Sequence, residues 1–164
     1  MAEERFIDNG DGTITDTLTT LMWMKEDSFQ MLKKFSSYYH CEKVLAKLNG
    51  EAFAGYSDWR FPDKHEAFSL FEEAKVVKDK YDMDIHIDPI FPPGGGFSTW
   101  TSHKRGKFTA YNLSYSSGTG GHKETDENIN DCVRFVRGEL DAKRYKKRPI
   151  PQPKDVVTRG GGWR

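Results

Sequence analysis

Polar and apolar positions change period several times along this chain of 164 residues. Arg5-Phe6-Ile7-Asp8 and Thr13-Ile14-Thr15-Asp16 alternate at period two around Asn9-Gly10-Asp11-Gly12, which predicts a β-hairpin, since Asn-Gly and Asp-Gly supply the positive φ of tight turns. Leu18 to Met24 then predicts a turn leading into a third short strand. From Ser28 to Leu48 the spacing lengthens. Phe29, Leu32, Phe35, Tyr39, Leu45 and Leu48 fall mostly three or four apart, which predicts one amphipathic helix capped by Asp27 or Ser28 and stopped at Asn49-Gly50.

A second helix is predicted after Pro62, because Asp63 and Glu66 have capping-box spacing and Phe68, Leu70, Phe71, Ala74 and Val77 give an apolar face to about Val77 or Lys78. Asp79 to Gly96 is polar, then rich in Pro and Gly, and predicts a long surface connection. Strands are expected at Phe97 to Ser102, Phe108 to Tyr115 and Cys132 to Arg137, with a turn at Gly118 to Gly121. No internal repeat is visible. After Gly138 the composition shifts to a basic run and a Pro-rich segment, so the expected division is a domain at 1–138 and a basic, Pro/Gly-rich extension at 139–164.

A chain of this length buries enough surface to fold without metal or disulfide. Phe 11, Tyr 7 and Trp 4 imply that rings fill much of the core. Lys+Arg and Asp+Glu are both 25, which removes the global electrostatic case for nucleic acid. No apolar run reaches the roughly 18 residues of a membrane span. The N-terminus has no apolar signal region, so the chain as written reads as cytoplasmic, or as periplasmic or cell-surface if an export signal was removed.

Asp58-Trp59-Arg60 with Pro62, then Phe97-Ser98-Thr99-Trp100-Thr101-Ser102, then Cys132-Val133-Arg134-Phe135-Val136-Arg137 form an ordered set. In this order they resemble the Lcl C-terminal domain family, named after the end domain of a bacterial collagen-like adhesin. The Gly-Asp-Gly-Thr turn of the first hairpin resembles the opening of that family as well. The resemblance covers about Arg5 to Gly138. It implies an α+β, C-type-lectin-like (or formylglycine-generating-enzyme-like) fold, with two helices packed on short antiparallel β-strands and long loops. It also implies recognition of a ligand, with an association with sulfated glycosaminoglycans known for the adhesin domain.

Asp58, Trp59 and Arg60 read as architectural, Trp59 in the core and the charges paired, since unpaired buried charge is costly. Cys41 and Cys132 are too few for a disulfide scaffold. The family carries a helix cysteine and one in a final Val-Arg-x-Val-Arg segment. Here that slot holds Phe135 and the cysteine sits three residues earlier, so two reduced, buried thiols are expected. The formylglycine-generating oxidases use a cysteine pair in their C-terminal part, and this chain has one there. No Gly-x-Ser-x-Gly elbow, phosphate loop or His-x-x-x-His pair occurs, so no enzyme is expected.

Asp8 to Gly12 fails the calcium-loop pattern, with Gly at positions three and five. Asn130-Asp131 resembles half of the calcium-dependent sugar site of C-type lectins, and no Glu-Pro-Asn supplies the other half, so calcium is a minor possibility and no cofactor is expected. The preferred ligand-facing surface is the loops Ile87 to Gly96 and Gly118 to Asp131 with Trp100, His103, Lys104, Arg105, Tyr111, Asn112, Asn128 and Asn130. A second basic patch holds Lys143, Arg144, Lys146, Lys147 and Arg148 and suits sulfate groups. Glycan or protein is the expected partner. The alternative is an assembly subunit that self-associates through its C-terminal tail.

Overall fold

The computed structural model describes residues 4–153. The architecture is mixed α+β, with a few short helices and several small antiparallel sheets. The first hairpin forms as its pattern predicts: β1 (Phe6–Asp8) pairs with β2 (Thr13–Asp16), and the turn between them holds Gly10 and Gly12 at φ 78° and 90°. β3 (Met22–Met24) adds to β2. Asp16 is fully buried, and its charge is met by the Arg5 guanidinium at 2.8 and 2.9 Å and the Thr19 hydroxyl at 2.7 Å.

The single long helix expected over 28–48 is two helices. α1 (Ser28–Leu32) starts in a capping box between Asp27 and Gln30 and ends where Lys33 turns left-handed at φ 62°. A left-handed residue releases the helical ladder, and periodicity cannot register it. α2 (Tyr38–Gly50) restarts from a Ser37 cap. Asn49 marks its end and also clamps the chain beyond: its side-chain amide donates to the Trp59 carbonyl and accepts from the Trp59 N–H, both at 2.9 Å. A single turn of 3-10 helix (Phe53–Gly55) lies between, and the Trp59 indole donates to the carbonyl of Phe53.

α3 (Lys64–Ser69) has the predicted Asp63–Glu66 capping box but stops at Leu70. Of the apolar positions beyond it, Leu70 and Phe71 pack in or on the main core, and Val77 belongs to another element, a small hairpin of β4 (Val77–Lys78) and β5 (Asp84–Ile85) that the sequence pattern missed. β6 (Ser98–Arg105), β7 (Thr109–Ser114) and β8 (Gly120–Glu124) form a three-stranded sheet. The turn expected at 118–121 therefore runs straight into a strand.

The late segment expected as a strand joins the parts. Only β9 (Val136–Arg137) is in a ladder, against β3. Residues 132–135 are buried and thread between layers: Trp100 donates to the Cys132 carbonyl, Ser28 to that of Val133, and Met24 to that of Phe135. Arg134 is buried too, donating to the carbonyls of Met24 and Lys25, with its guanidinium 4.8 Å from the Phe91 ring centroid. Two core clusters flank this segment. One gathers Ile14, Leu21, Trp23, Leu70, Phe91, Leu113 and Val136, the other Met24, Cys41, Trp59, Trp100, Val133 and Phe135.

One expectation changes here. The connection before β6 is a packed strap: Ile87 and Phe91 are buried, and the Gly96 N–H donates to Asp27. A Cβ at Gly95 would lie 2.5 Å from the Asp27 carboxylate and one at Gly96 2.5 Å from the Cys132 sulfur, so the glycines there serve close approach. Residues 139–153 run back over the body, with Tyr145 buried and Leu140 and Ile150 against the first core cluster.

Candidate functional site

The cleft that gathers the predicted ligand-facing residues best lies against the three-stranded sheet. It measures about 520 Å³ and is lined by Lys64 and His65 of α3, Arg105 of β6, Tyr111 of β7, Gly120, Gly121 and His122 of β8, and Ile150, Gln152 and Pro153 of the returning segment. β7 pairs with β8 so that Tyr111 sits opposite His122, and their rings meet edge to face with centroids 5.5 Å apart. The Tyr111 ring lies across Gly120, where a Cβ would come 2.0 Å from its hydroxyl oxygen. Only a residue without a side chain leaves room for that ring. Lys64 reaches over the same ring, its Nζ 5.5 Å from the centroid. The third wall is pinned by the Gly120 N–H donating to the Pro151 carbonyl at 3.1 Å.

Among the described residues, charge in the lining has one sign. Lys64 and Arg105 are fixed cations, neither joined to a carboxylate in an ion pair among the described residues. Among the described residues, no Asp or Glu lines the cleft. Burial pushes the His65 imidazole below its ordinary pKa of 6.5 and Lys147 pushes the same way, with smaller contributions from Lys64 and His103, while Asp63 opposes them. Burial lowers His122 as well, together with Arg105, Lys64 and His103. Burial raises the pKa of the Tyr111 phenol, so the platform stays neutral.

The expected site residues divide. Arg105 and Tyr111 line the cleft, and His103 is near enough to bear on both histidines. Lys104 points the other way, its Nζ 5.3 and 5.6 Å from the ring centroids of Tyr39 and Tyr38. Trp100 and Asn112 are wholly buried, and this corrects their assignment to a ligand surface. Both face the core side of the sheet, where Trp100 packs edge to face on Tyr38. Asn128 is exposed on the loop after β8, while Asn130 accepts a hydrogen bond from the Tyr81 hydroxyl at 2.6 Å. The buried Asp131 carboxylate is held by Lys123 at 2.7 Å. Among the described residues, no group of three or more His, Cys, Asp or Glu is placed to hold a metal ion.

Of the second basic patch, Lys143, Arg144 and Lys146 are exposed, and Lys147 approaches His65. Arg148 is spent on the body, donating to the carbonyls of Phe68 and Phe71. Of the 139–164 tail expected to self-associate, residues 154–164 lie outside the described residues.

The Asp58-Trp59-Arg60 segment is built as architecture. Trp59 is buried, Asp58 pairs with Arg137 at 2.6 Å, and Arg60 grips Glu66 with two bonds of 2.6 and 2.7 Å while donating to the Gly138 carbonyl. Cys41 and Cys132 are free, buried thiols. Residues 12–137 match the Lcl C-terminal domain family. The chain belongs to that family. No curated protein and no solved structure matches it. The match in this Lcl C-terminal domain covers three sides of the cleft, namely α3, the β6–β7 pair and β8, and stops short of the wall formed by residues 150–153.

Lys64, His65 and the wall residues escaped the sequence reading, and His122 fell inside the predicted Gly118 to Asp131 loop without being singled out. Their only signal there was type: two histidines beside short basic or glycine steps, in elements that sequence distance keeps apart. Among the described residues, no helix is long and apolar enough to cross a membrane.

Proposed function

We propose that this Lcl C-terminal domain is a non-catalytic recognition module on a C-type-lectin-like scaffold, and that its ligand is an anionic glycan seated in the cleft. The Tyr111 ring is the platform for a sugar face, and Lys64 and Arg105 receive the charged group. One observation carries this reading: a cleft of about 520 Å³ has an aromatic floor and two cations and, among the described residues, no carboxylate in its lining. A neutral sugar has no need of such a lining, and a cationic partner would be repelled by it.

The test is affinity for a sulfated hexasaccharide of the heparin type against a neutral hexasaccharide. Lys64→Gln and Arg105→Gln should each weaken binding of the sulfated probe by about tenfold, the worth of one charge-assisted hydrogen bond. Lys143→Gln with Lys146→Gln should change it little, because neither residue lines the cleft. Equal binding of the neutral sugar, or wild-type affinity in the Lys64→Gln/Arg105→Gln double variant, refutes the assignment.

A further inference from the structure

The cleft contains more than its two fixed cations. His65 enters from α3 and His122 from β8, so two imidazoles from separate elements line one cavity with Lys64 and Arg105. Each is crowded by positive charge. His65 faces Lys64 from its own helix, His103 from β6 and Lys147 from the returning segment, with Asp63 the opposing carboxylate among the described residues. His122 faces Arg105 and His103 from β6 and Lys64 from α3, and its ring edge meets Tyr111 of β7. The His65 Nδ1 is buried with no hydrogen-bond partner.

We propose that this cleft captures its anion together with protons, His65 and His122 each taking up a proton from solvent as the ligand docks, so that binding tightens as the medium becomes more acid. The inference rests on the cleft being the binding site and adds its regulation. In the empty cleft a proton on either ring joins an assembly that is already cationic and partly desolvated, so the rings stay neutral below the pH at which a free histidine would charge. A docked anion reverses the sign of the local field and favours the charged form.

The direction follows from linkage. Ligand raises the pKa of both rings, so the complex holds more protons than the free protein between the two values. Affinity therefore rises as pH falls through that window, by up to about tenfold per pH unit for each proton taken up. It levels off once the free protein is itself protonated. Without ligand the opposite sign applies to folding. The native rings bind protons less readily than the unfolded chain, so stability falls as pH drops below the ordinary 6.5.

The probe is inorganic sulfate, which carries no titrating proton near neutrality, added to the full chain at constant ionic strength. Imidazole ring resonances of His65 and His122 are followed by NMR from about pH 5 to pH 8, with and without sulfate. Both rings should titrate below 6.5 in its absence and move upward in its presence. The sulfate dissociation constant should rise severalfold from about pH 5.5 to about pH 7.5. His65→Gln and His122→Gln should each flatten that dependence, whereas Lys64→Gln should weaken binding at both ends and keep the slope. Sulfate that shifts the cleft resonances with one dissociation constant across the range overturns proton coupling and leaves the cleft assignment standing. Sulfate that moves neither ring even at about pH 5.5 overturns both.

Discussion

Gly120→Ala is the sharpest probe of the cleft's construction. A methyl group there would stand 2.0 Å from the Tyr111 hydroxyl oxygen, 2.3 Å from Cζ and 2.5 Å from Cε1. These distances are well inside the 3.4 Å at which ordinary contact begins. The ring must swing away or β8 must part from β7, and overpacking of this kind costs about 1–3 kcal/mol. Restricting a strand glycine would by itself return no more than about 1 kcal/mol. For a chain of this size the net loss is a fall in Tm of roughly 2–10 °C.

The assay is thermal melting of a double-mutant cycle with Tyr111→Ala. If the clash is with the ring, Gly120→Ala should be nearly free in the Tyr111→Ala background, giving a coupling energy above about 1 kcal/mol. The same substitution should also abolish capture of the sulfated probe, because the platform no longer lies flat. Equal destabilisation in both backgrounds would show that the glycine answers to the backbone and that the Tyr111 ring does not rest on it.

Two further outcomes test the frame around the site. Asn49→Ala strips the Trp59 backbone of both its partners in a part-buried position, and should cost about 1–3 kcal/mol by chemical denaturation, with Asn49→Asp recovering only the bond from the Trp59 N–H. Burial raises the Cys41 thiol to about 12 and the Cys132 thiol well above its ordinary value, so neither should react with iodoacetamide at about pH 8 in the native protein, and both should react in denaturant. Rapid native alkylation of either would contradict the packing given for residues 132–135.

Where local chemistry decides, the sequence was readable. Gly10 and Gly12 turn the first hairpin, Asp63 and Glu66 open α3, and Trp59 fills the core, all legible from residue type and spacing. Periodicity failed where one residue's backbone breaks a pattern that continues on either side of it. Lys33 ends α1 in the left-handed region while apolar positions run on through Phe35 and Tyr39. The strap before β6 misled for another reason. Pro and Gly composition says that a segment is irregular and nothing about whether it is exposed, and Phe91 turned the segment inward.

The cleft was half legible. Arg105 and Tyr111 stood out as a cation and a ring beside a turn. His122 faces Tyr111 across the β7–β8 pair, inside the loop expected to face a ligand, but Lys64 and His65 arrive on α3, far away in the chain. No local signal couples such residues. Trp100 and Asn112 drew attention by the same criteria as Tyr111 and belong to the interior, because direct partners across β6 and β7 share one face of the sheet and residues one step along point away.

The wall formed by Ile150, Gln152 and Pro153 lies outside the stretch that defines the family. Two proteins of the same descent can therefore agree throughout the shared domain and yet close this cleft with different termini, or leave it open on that side. Selectivity is then free to diverge by grafting a new end onto an unchanged body, and kinship alone does not transfer a ligand from one member to another.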